Sequence, residues 1–192
     1  MIRLILATHN AHKVEELKRI LGPQLDGIEL VAYDGPEPVE DADTFEGNAL
    51  IKARAAFEHT GLPSIADDSG ISVDALGGAP GIHSARYAGT RNDHDNLQLL
   101  LENLGDSDDR AARFTCVAAF VAPGVEHTEL GVWNGTVMAE AAGGGGFGYD
   151  PIFKPAGLNI SAAELRPDEK NAISHRALAF GAIMPFVRST LL

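Results

Sequence analysis

The amino-terminal part of this chain alternates short apolar runs with helical stripes, and that alternation restricts the fold more than any other feature. Arg3 to Ala7 is an apolar run of the length of a buried strand, bounded by Thr8-His9-Asn10. Val14, Leu17, Ile20 and Leu21 then recur at helical spacing, and Gly22-Pro23 ends that helix. A second strand is predicted over Ile28 to Ala32. After the acidic, proline-containing stretch from Pro36 to Asp43 comes a helix with Asp43 and Glu46 as a capping box. Its stripe is Phe45, Ala49, Ala53, Ala56 and Phe57, and Gly61 stops it. Ser64-Ile65-Ala66 predicts a short strand running into a turn at Asp67-Asp68-Ser69-Gly70. Gly77 to Gly81 reads as a loop, Asp93 to Leu104 as a helix, and Phe114 to Val121 with Glu129 to Met138 as a hairpin around Pro123-Gly124. Ile173, Ala177, Phe180, Met184 and Val187 mark a last helix. Helices between strands early and a hairpin later predict an α/β fold with a mixed sheet. No repeat or linker interrupts it, so residues 1–192 are expected to form a single domain.

Composition narrows the function classes. The hydrophobic fraction of 45% and charged fraction of 22% are those of a soluble globular chain with a real core. No run approaches the roughly 18 apolar residues of a membrane span, and the first residues carry no pattern of a signal peptide. The one cysteine, Cys116, lies in an apolar run and is expected to be buried and inert; a cytoplasmic location fits. A net charge of −12 argues against general binding to nucleic acid, where phosphate neutralisation supplies the affinity. It leaves room for a small phosphate ligand, because a few focused cations outweigh a diffuse negative surface.

Three constellations carry chemistry. Thr8, His9, Asn10, Ala11 and His12 lie where a strand gives way to a helix, with Lys13 in the first turn, which suits either a phosphate at the positive helix end or a plain helix cap. Asp67 and Asp68 are adjacent carboxylates whose mutual repulsion a Mg²⁺ ion relieves, with Glu40, Asp41 and Asp43 as further oxygen donors. A solvated turn is the other reading of the pair. Asn48 and Lys52 lie one turn apart on the edge of the α-helical stripe, so Lys52 can snorkel into a cleft. Phe147, beside mobile glycines, and Asp150 suit stacking and edge recognition of a base, or a core aromatic. Lys170, His175 and Arg176 cluster near the last helix, as cations of a site or of a solvated face. His59, His94 and His127 carry no signal.

Taken together and in order, these blocks are more specific. Thr8-x-Asn10-x-x-Lys13, Thr44-Phe45-x-x-Asn48-Ala49-x-x-Lys52-Ala53 and Ala66-Asp67-Asp68-Ser69-Gly70 are followed by Gly77-Gly78-Ala79-Pro80-Gly81 with Ser84-Ala85-Arg86-Tyr87. Phe147-Gly148-Tyr149-Asp150-Pro151-Ile152-Phe153 and Lys170-x-x-Ile173-Ser174-His175-Arg176 complete the set. The set resembles the inosine/xanthosine triphosphate pyrophosphatase family over essentially the whole chain. The resemblance implies an elongated central mixed β-sheet flanked by helices, two lobes around an active-site cleft, a homodimer and a Mg²⁺ requirement. It implies that Thr8, His9, Asn10, Ala11, His12, Lys13 and Lys52 hold the triphosphate and that Asp68 is the general base. Glu40 and Asp68 would hold the metal, and Ser69 would touch the substrate. Phe147, Gly148, Tyr149 and Asp150 would line the base, with Lys170, His175 and Arg176 reading the purine O6. This chain departs from the family at His9, His12, Gly47 and His83, where relatives often carry glycines, glutamate and tyrosine.

The implied reaction is hydrolysis of ITP, dITP, XTP and dXTP to the monophosphate and pyrophosphate. A Maf-like pyrophosphatase acting on pyrimidine or modified nucleotides and a non-catalytic nucleotide sensor are the competing readings. A phosphatase of the haloacid-dehalogenase type would use an aspartate nucleophile and wants Asp-x-Asp after its first strand, where this chain has Thr8-His9-Asn10.

Overall fold

A computed structural model describes all 192 residues. In chain order the elements are β1 (Ile2–Leu6), α1 (Ala11–Leu21), β2 (Ile28–Ala32), α2 (Phe45–Thr60), β3 (Ser64–Val73) and α3 (Asp93–Leu104). There follow β4 (Ala111–Ala122), β5 (Val125–Val137), β6 (Phe153–Pro155), α4 (Pro167–Ile173) and α5 (His175–Leu191). The strands form one sheet in the order β2-β1-β3-β4-β5-β6. β1 is parallel to both β2 and β3, whereas β5 and β6 are antiparallel, so the sheet is mixed and the fold is α/β as the sequence predicts. No helix is long and apolar enough to cross a membrane.

The chain divides into two compact units. The first comprises Met1–Asp68, Cys116–Gly131 and Arg176–Leu192, and the second Ser69–Thr115 and Val132–His175. In the first, each strand sends alternate side chains to opposite faces, and two separate cores result. Leu4, Leu6, Ile65, Cys116, Ala118 and Phe120 join Val14 and Leu17 of α1 and Phe180, Ile183 and Met184 of α5. Ile5, Ala7, Ala66, Val117, Ala119 and Val121 point the other way and meet Ala49, Ala53 and Ala56 of α2. The three alanines are fully buried, and their small side chains let α2 lie close on the sheet. In the second unit Ile71, Leu97, Leu100, Phe114, Trp133 and Phe153 pack into a core of their own. Gly135 opposes Pro155 on β6, where any Cβ would collide with the Lys154 carbonyl and the Phe153 ring.

Several local expectations are corrected. The predicted turn at Asp67-Asp68-Ser69-Gly70 is strand: β3 continues without a break to Val73. The α2 cap is Thr44, whose hydroxyl accepts the Gly47 N–H at 3.0 Å; Asp43 does not cap it, and Gly47 occupies the third helical position that a capping box gives to Glu or Gln. Both hairpin strands are longer than predicted, since the two-residue connection Pro123-Gly124 keeps the ladder paired almost to the tip. The last helical stripe is broken. Ser174 is extended (φ −70°, ψ 160°), so Ile173 ends α4, partly exposed, and α5 begins at His175.

Gly47 has a steric reason that its sequence does not reveal. A Cβ there would lie 2.6 Å from the Ala42 Cβ, in the loop that Asn48 fastens to α2 by accepting the Ala42 N–H at 3.0 Å. Gly47→Ala is therefore expected to destabilise the fold by about 1 kcal/mol or more in urea unfolding, because overpacking outweighs the gain in helix propensity.

Candidate active site

The alternation along β3 sends Asp67 to the face shared with Ile65 and Asp68 to the face shared with Ala66. Adjacent carboxylates thereby acquire different partners. Asp67, 3% exposed, receives Lys13 Nζ at 3.3 and 3.4 Å from its two oxygens. Arg176 donates to Asp67 Oδ2 from Nη2 at 3.2 Å and from Nε at 3.4 Å, and from Nη1 to Glu16 Oε2 at 2.8 Å. Burial alone would raise the Asp67 pKa, but Lys13, Arg176 and Lys52 together hold its carboxyl well below the usual carboxylate range. Arg176 is 1% exposed, and although burial opposes its charge, Asp67 and Glu16 keep the guanidinium firmly protonated. Cys116 Sγ lies 3.8 Å from Asp67 Oδ2, and burial with that neighbouring charge pushes the thiol far up, so it is the inert core cysteine the sequence predicts.

Asp68 faces α2. Lys52 Nζ sits 3.1 Å from Asp68 Oδ1 and 3.0 Å from Glu40 Oε2, bridging the two acidic groups. Burial disfavours the Lys52 charge, but Asp68, Asp67 and Glu40 outweigh it and raise its pKa. The reverse holds for Asp68, where burial, Glu40 and Asp67 outweigh Lys52 and raise the carboxyl above its ordinary value. Asp68 Oδ2 is buried with no hydrogen-bond partner. A buried carboxylate oxygen is costly without a partner, so this atom is suited to accept a donor or a cation. Glu40 reaches Lys52 because Asn48 pins the acidic loop through the Ala42 N–H.

The start of α1 is capped from within. The Asn10 side chain accepts the N–H groups of His12 and Lys13 at 3.0 and 3.3 Å, and Thr8 Oγ1 accepts the Asn10 N–H at 3.1 Å. His9 hydrogen-bonds the Gly35 carbonyl at 2.8 Å and lies 3.2 Å from Glu37, while Ala11 and His12 are exposed. Ser69 follows Asp68 on β3, half-buried.

The remaining sequence candidates, apart from Arg176, lie in the second unit. Phe147 is partly exposed, with Lys170 Nζ 4.7 Å from its ring centroid, a cation–π arrangement. Lys170 Nζ and the Phe147 N–H both donate to Asp150 Oδ2, at 2.7 and 2.9 Å. Asp150 is thus a buried anchor, not the open base-edge acceptor that its position in the sequence suggests. Tyr149 is also buried, and its hydroxyl donates to the Ser84 carbonyl at 2.7 Å. Gly148 donates its N–H to Asp93 Oδ2 at 2.9 Å. The His175 ring stacks on Phe114 at 4.7 Å and 10°. Arg176, expected beside Lys170, belongs to the first unit, where it pairs with Asp67 and Glu16. Sequence reasoning missed Glu16 and Asp93. Glu16 was detectable as the acidic residue one turn beyond Lys13 on the same helix face.

The fold and this centre define an α/β protein whose third strand carries a divided pair of carboxylates, each paired with lysine. The chain belongs to the Ham1 family, whose model matches residues 4–186. It is 58% identical over 193 residues to the dITP/XTP pyrophosphatase of Leifsonia xyli, covering 98% of this chain and 97% of that protein. It is 50% identical to the dITP/XTP pyrophosphatase of Streptomyces coelicolor over the full length of both. Among solved structures it resembles a HAM1 protein from Coxiella burnetii (TM-score 0.89, 40% identity, 98% of this chain and 100% of that one). A nucleoside-triphosphatase/dITP/XTP pyrophosphatase from Mycobacterium abscessus gives a TM-score of 0.77 at 44% identity, covering 96% and 100%.

The two aspartates are expected to respond oppositely to neutralisation. The Asp67 pKa is depressed on folding, so its stabilisation is complete above its unfolded value of about 4 and is lost progressively as the pH falls below that value toward the depressed folded pKa. The Asp68 pKa is raised, so its contribution is full below that value and lost as the pH rises through its folded pKa. Urea titration at pH 7 in metal-free buffer should show Asp67→Asn losing about 3–5 kcal/mol, while Asp68→Asn is at least as stable as the parent.

Proposed function

We propose that this chain, acting as one nucleotide pyrophosphatase domain over residues 1–192, hydrolyses the non-standard purine nucleoside triphosphates ITP, dITP, XTP and dXTP to monophosphate and pyrophosphate. Full-length similarity to proteins named for dITP and XTP supports the substrate class. The observation that carries the chemistry is Asp68 Oδ2, a buried and unpartnered carboxylate oxygen beside a lysine, on a group whose pKa is raised. A base for water needs such an oxygen, poised nearer to neutrality than a surface carboxylate.

In this reading Asp68 accepts a proton from water as the water oxygen bonds to the α-phosphorus. The bond from that phosphorus to the bridging oxygen breaks, and pyrophosphate leaves with the electron pair. Lys13, seated on Asp67, and Lys52, seated between Asp68 and Glu40, hold the phosphates. The positive end of α1, with Thr8, His9, Asn10, Ala11 and His12, adds its dipole. Asp68 and Glu40 also fit a Mg²⁺ site, being oxygen donors close to one another with one oxygen unpartnered, and Mg²⁺ commonly takes one or two carboxylates plus substrate phosphates. When bound, the ion neutralises charge on the phosphate oxygens.

Arg176, committed to Asp67 and Glu16, serves by fixing the Asp67 carboxylate that seats Lys13. Recognition of the base is assigned in this reading to Phe147 for stacking, with Lys170 and His175 as donors toward O6 and with Ser69, Gly148, Tyr149 and Asp150 shaping the surroundings. Hypoxanthine and xanthine offer a carbonyl there, while adenine offers an amino group that would leave the donors unmatched. A homodimer and a cytoplasmic location complete the proposal, by family resemblance.

Purified protein with Mg²⁺ should convert ITP and XTP to monophosphate and pyrophosphate, with little turnover of ATP, GTP or dTTP and none in EDTA. Turnover of dTTP above ITP would favour the Maf-like reading, and release of orthophosphate would refute attack at the α-phosphorus. Asp68→Asn should cut kcat by about 10²–10⁴-fold while ITP still binds. In the parent, kcat/KM should fall on acidification through a pKa above the ordinary Asp value of about 3.9. Binding without turnover in the parent itself would identify a sensor.

A further inference from the structure

The segment Phe147–Asp150 follows four glycines and has little regular structure, yet each of its first three residues is tied to a different place. The Phe147 N–H goes to Asp150, within the segment itself. The Tyr149 hydroxyl goes to the Ser84 carbonyl. The Gly148 N–H goes to Asp93 Oδ2 at 2.9 Å, on α3, 55 positions earlier in the chain. Gly148 has φ +61°, so the peptide at the tip turns in a conformation that other residues rarely adopt.

Asp93 has no comparable duty on its own helix. Asn92 caps α3 by accepting the Asp95 N–H at 3.0 Å. Asn96 fastens the preceding loop through the Ala88 N–H at 2.8 Å and the Ala85 carbonyl at 3.1 Å, and Leu97, Leu100 and Leu104 bury the helix in the core. Asp93 is exposed, at the first position of α3, where a carboxylate adds only the modest dipole benefit any acid would give. Its specific contact is with Gly148.

We propose that Asp93 is a positioning residue of the base site, holding the Gly148 peptide so that the Phe147 ring stays fixed under Lys170. This rests on the assignment of Phe147 as the stacking surface for the purine. Asp93 touches neither substrate nor reacting atoms. Its effect is to spare the substrate the cost of ordering a glycine-flanked loop on binding.

Steady-state kinetics with ITP on Asp93→Ala, Asp93→Asn and Phe147→Ala tests this. Asp93→Ala should raise KM about fivefold with kcat within about twofold of the parent, the size expected for losing one charge-assisted hydrogen bond at a partly exposed site. Asp93→Asn keeps an acceptor oxygen and should return KM to near the parent value. KM unmoved in Asp93→Ala but raised in Phe147→Ala would overturn the role of Asp93 and leave the base assignment standing. KM unmoved in both would overturn the two together. A fall in kcat alone, or no rescue by Asp93→Asn, would mark Asp93 as merely structural and overturn the proposal.

Discussion

Everything at the candidate site depends on the two-residue period of a strand. Asp67 and Asp68 are adjacent in sequence, yet the pleat turns their carboxyl groups to opposite faces of β3, where each meets its own cations. One is surrounded by Lys13 and Arg176 and is held ionised. The other shares a single lysine with Glu40 and is left with an oxygen bare. Had the segment been a turn, the two carboxylates would have shared one solvated environment and titrated alike. The same period splits the surrounding hydrophobic residues into two cores, so structure and chemistry are sorted by one geometric rule.

The two faces divide the labour. On one, Lys13 of α1, Asp67, Arg176 of α5 and Glu16 of α1 form a chain of ion pairs in which positive and negative charges balance. Such a buried set is costly to assemble, but once assembled it fixes the ammonium of Lys13. On the other, α2 brings Lys52 and, through Asn48, the loop that carries Glu40. Alanines at 49, 53 and 56 bring that helix near enough for a lysine side chain to reach the strand.

How much of this could be read in advance follows from the range of the forces involved. Helix stripes and strand runs depend on neighbours a few residues apart, so α1, α2, α3 and the hairpin were legible, and motif order gave the family. The continuation of β3 through Asp-Asp-Ser-Gly was not legible, because local propensity favours a turn there and only tertiary partners overturn it. The break at Ser174 was hidden by apolar spacing that carries across it by chance. Asp150, Tyr149 and Arg176 stand within the motif blocks, but those blocks do not reveal their partners. What they bind, Lys170, Ser84 and Glu16 respectively, lies 20 to 160 positions away in the chain and leaves no trace in local pattern.

Cys116 gives this arrangement an unplanned gauge. Its sulfur lies beside Asp67 on the strand next to β3, fully buried, with its thiol held protonated. A thiol reagent meets it only when that part of the sheet opens and water enters. Because the chain has no other cysteine, the rate of its labelling counts those openings without interference. The breathing of the charged centre is thus written into a reactivity that the folded protein otherwise conceals.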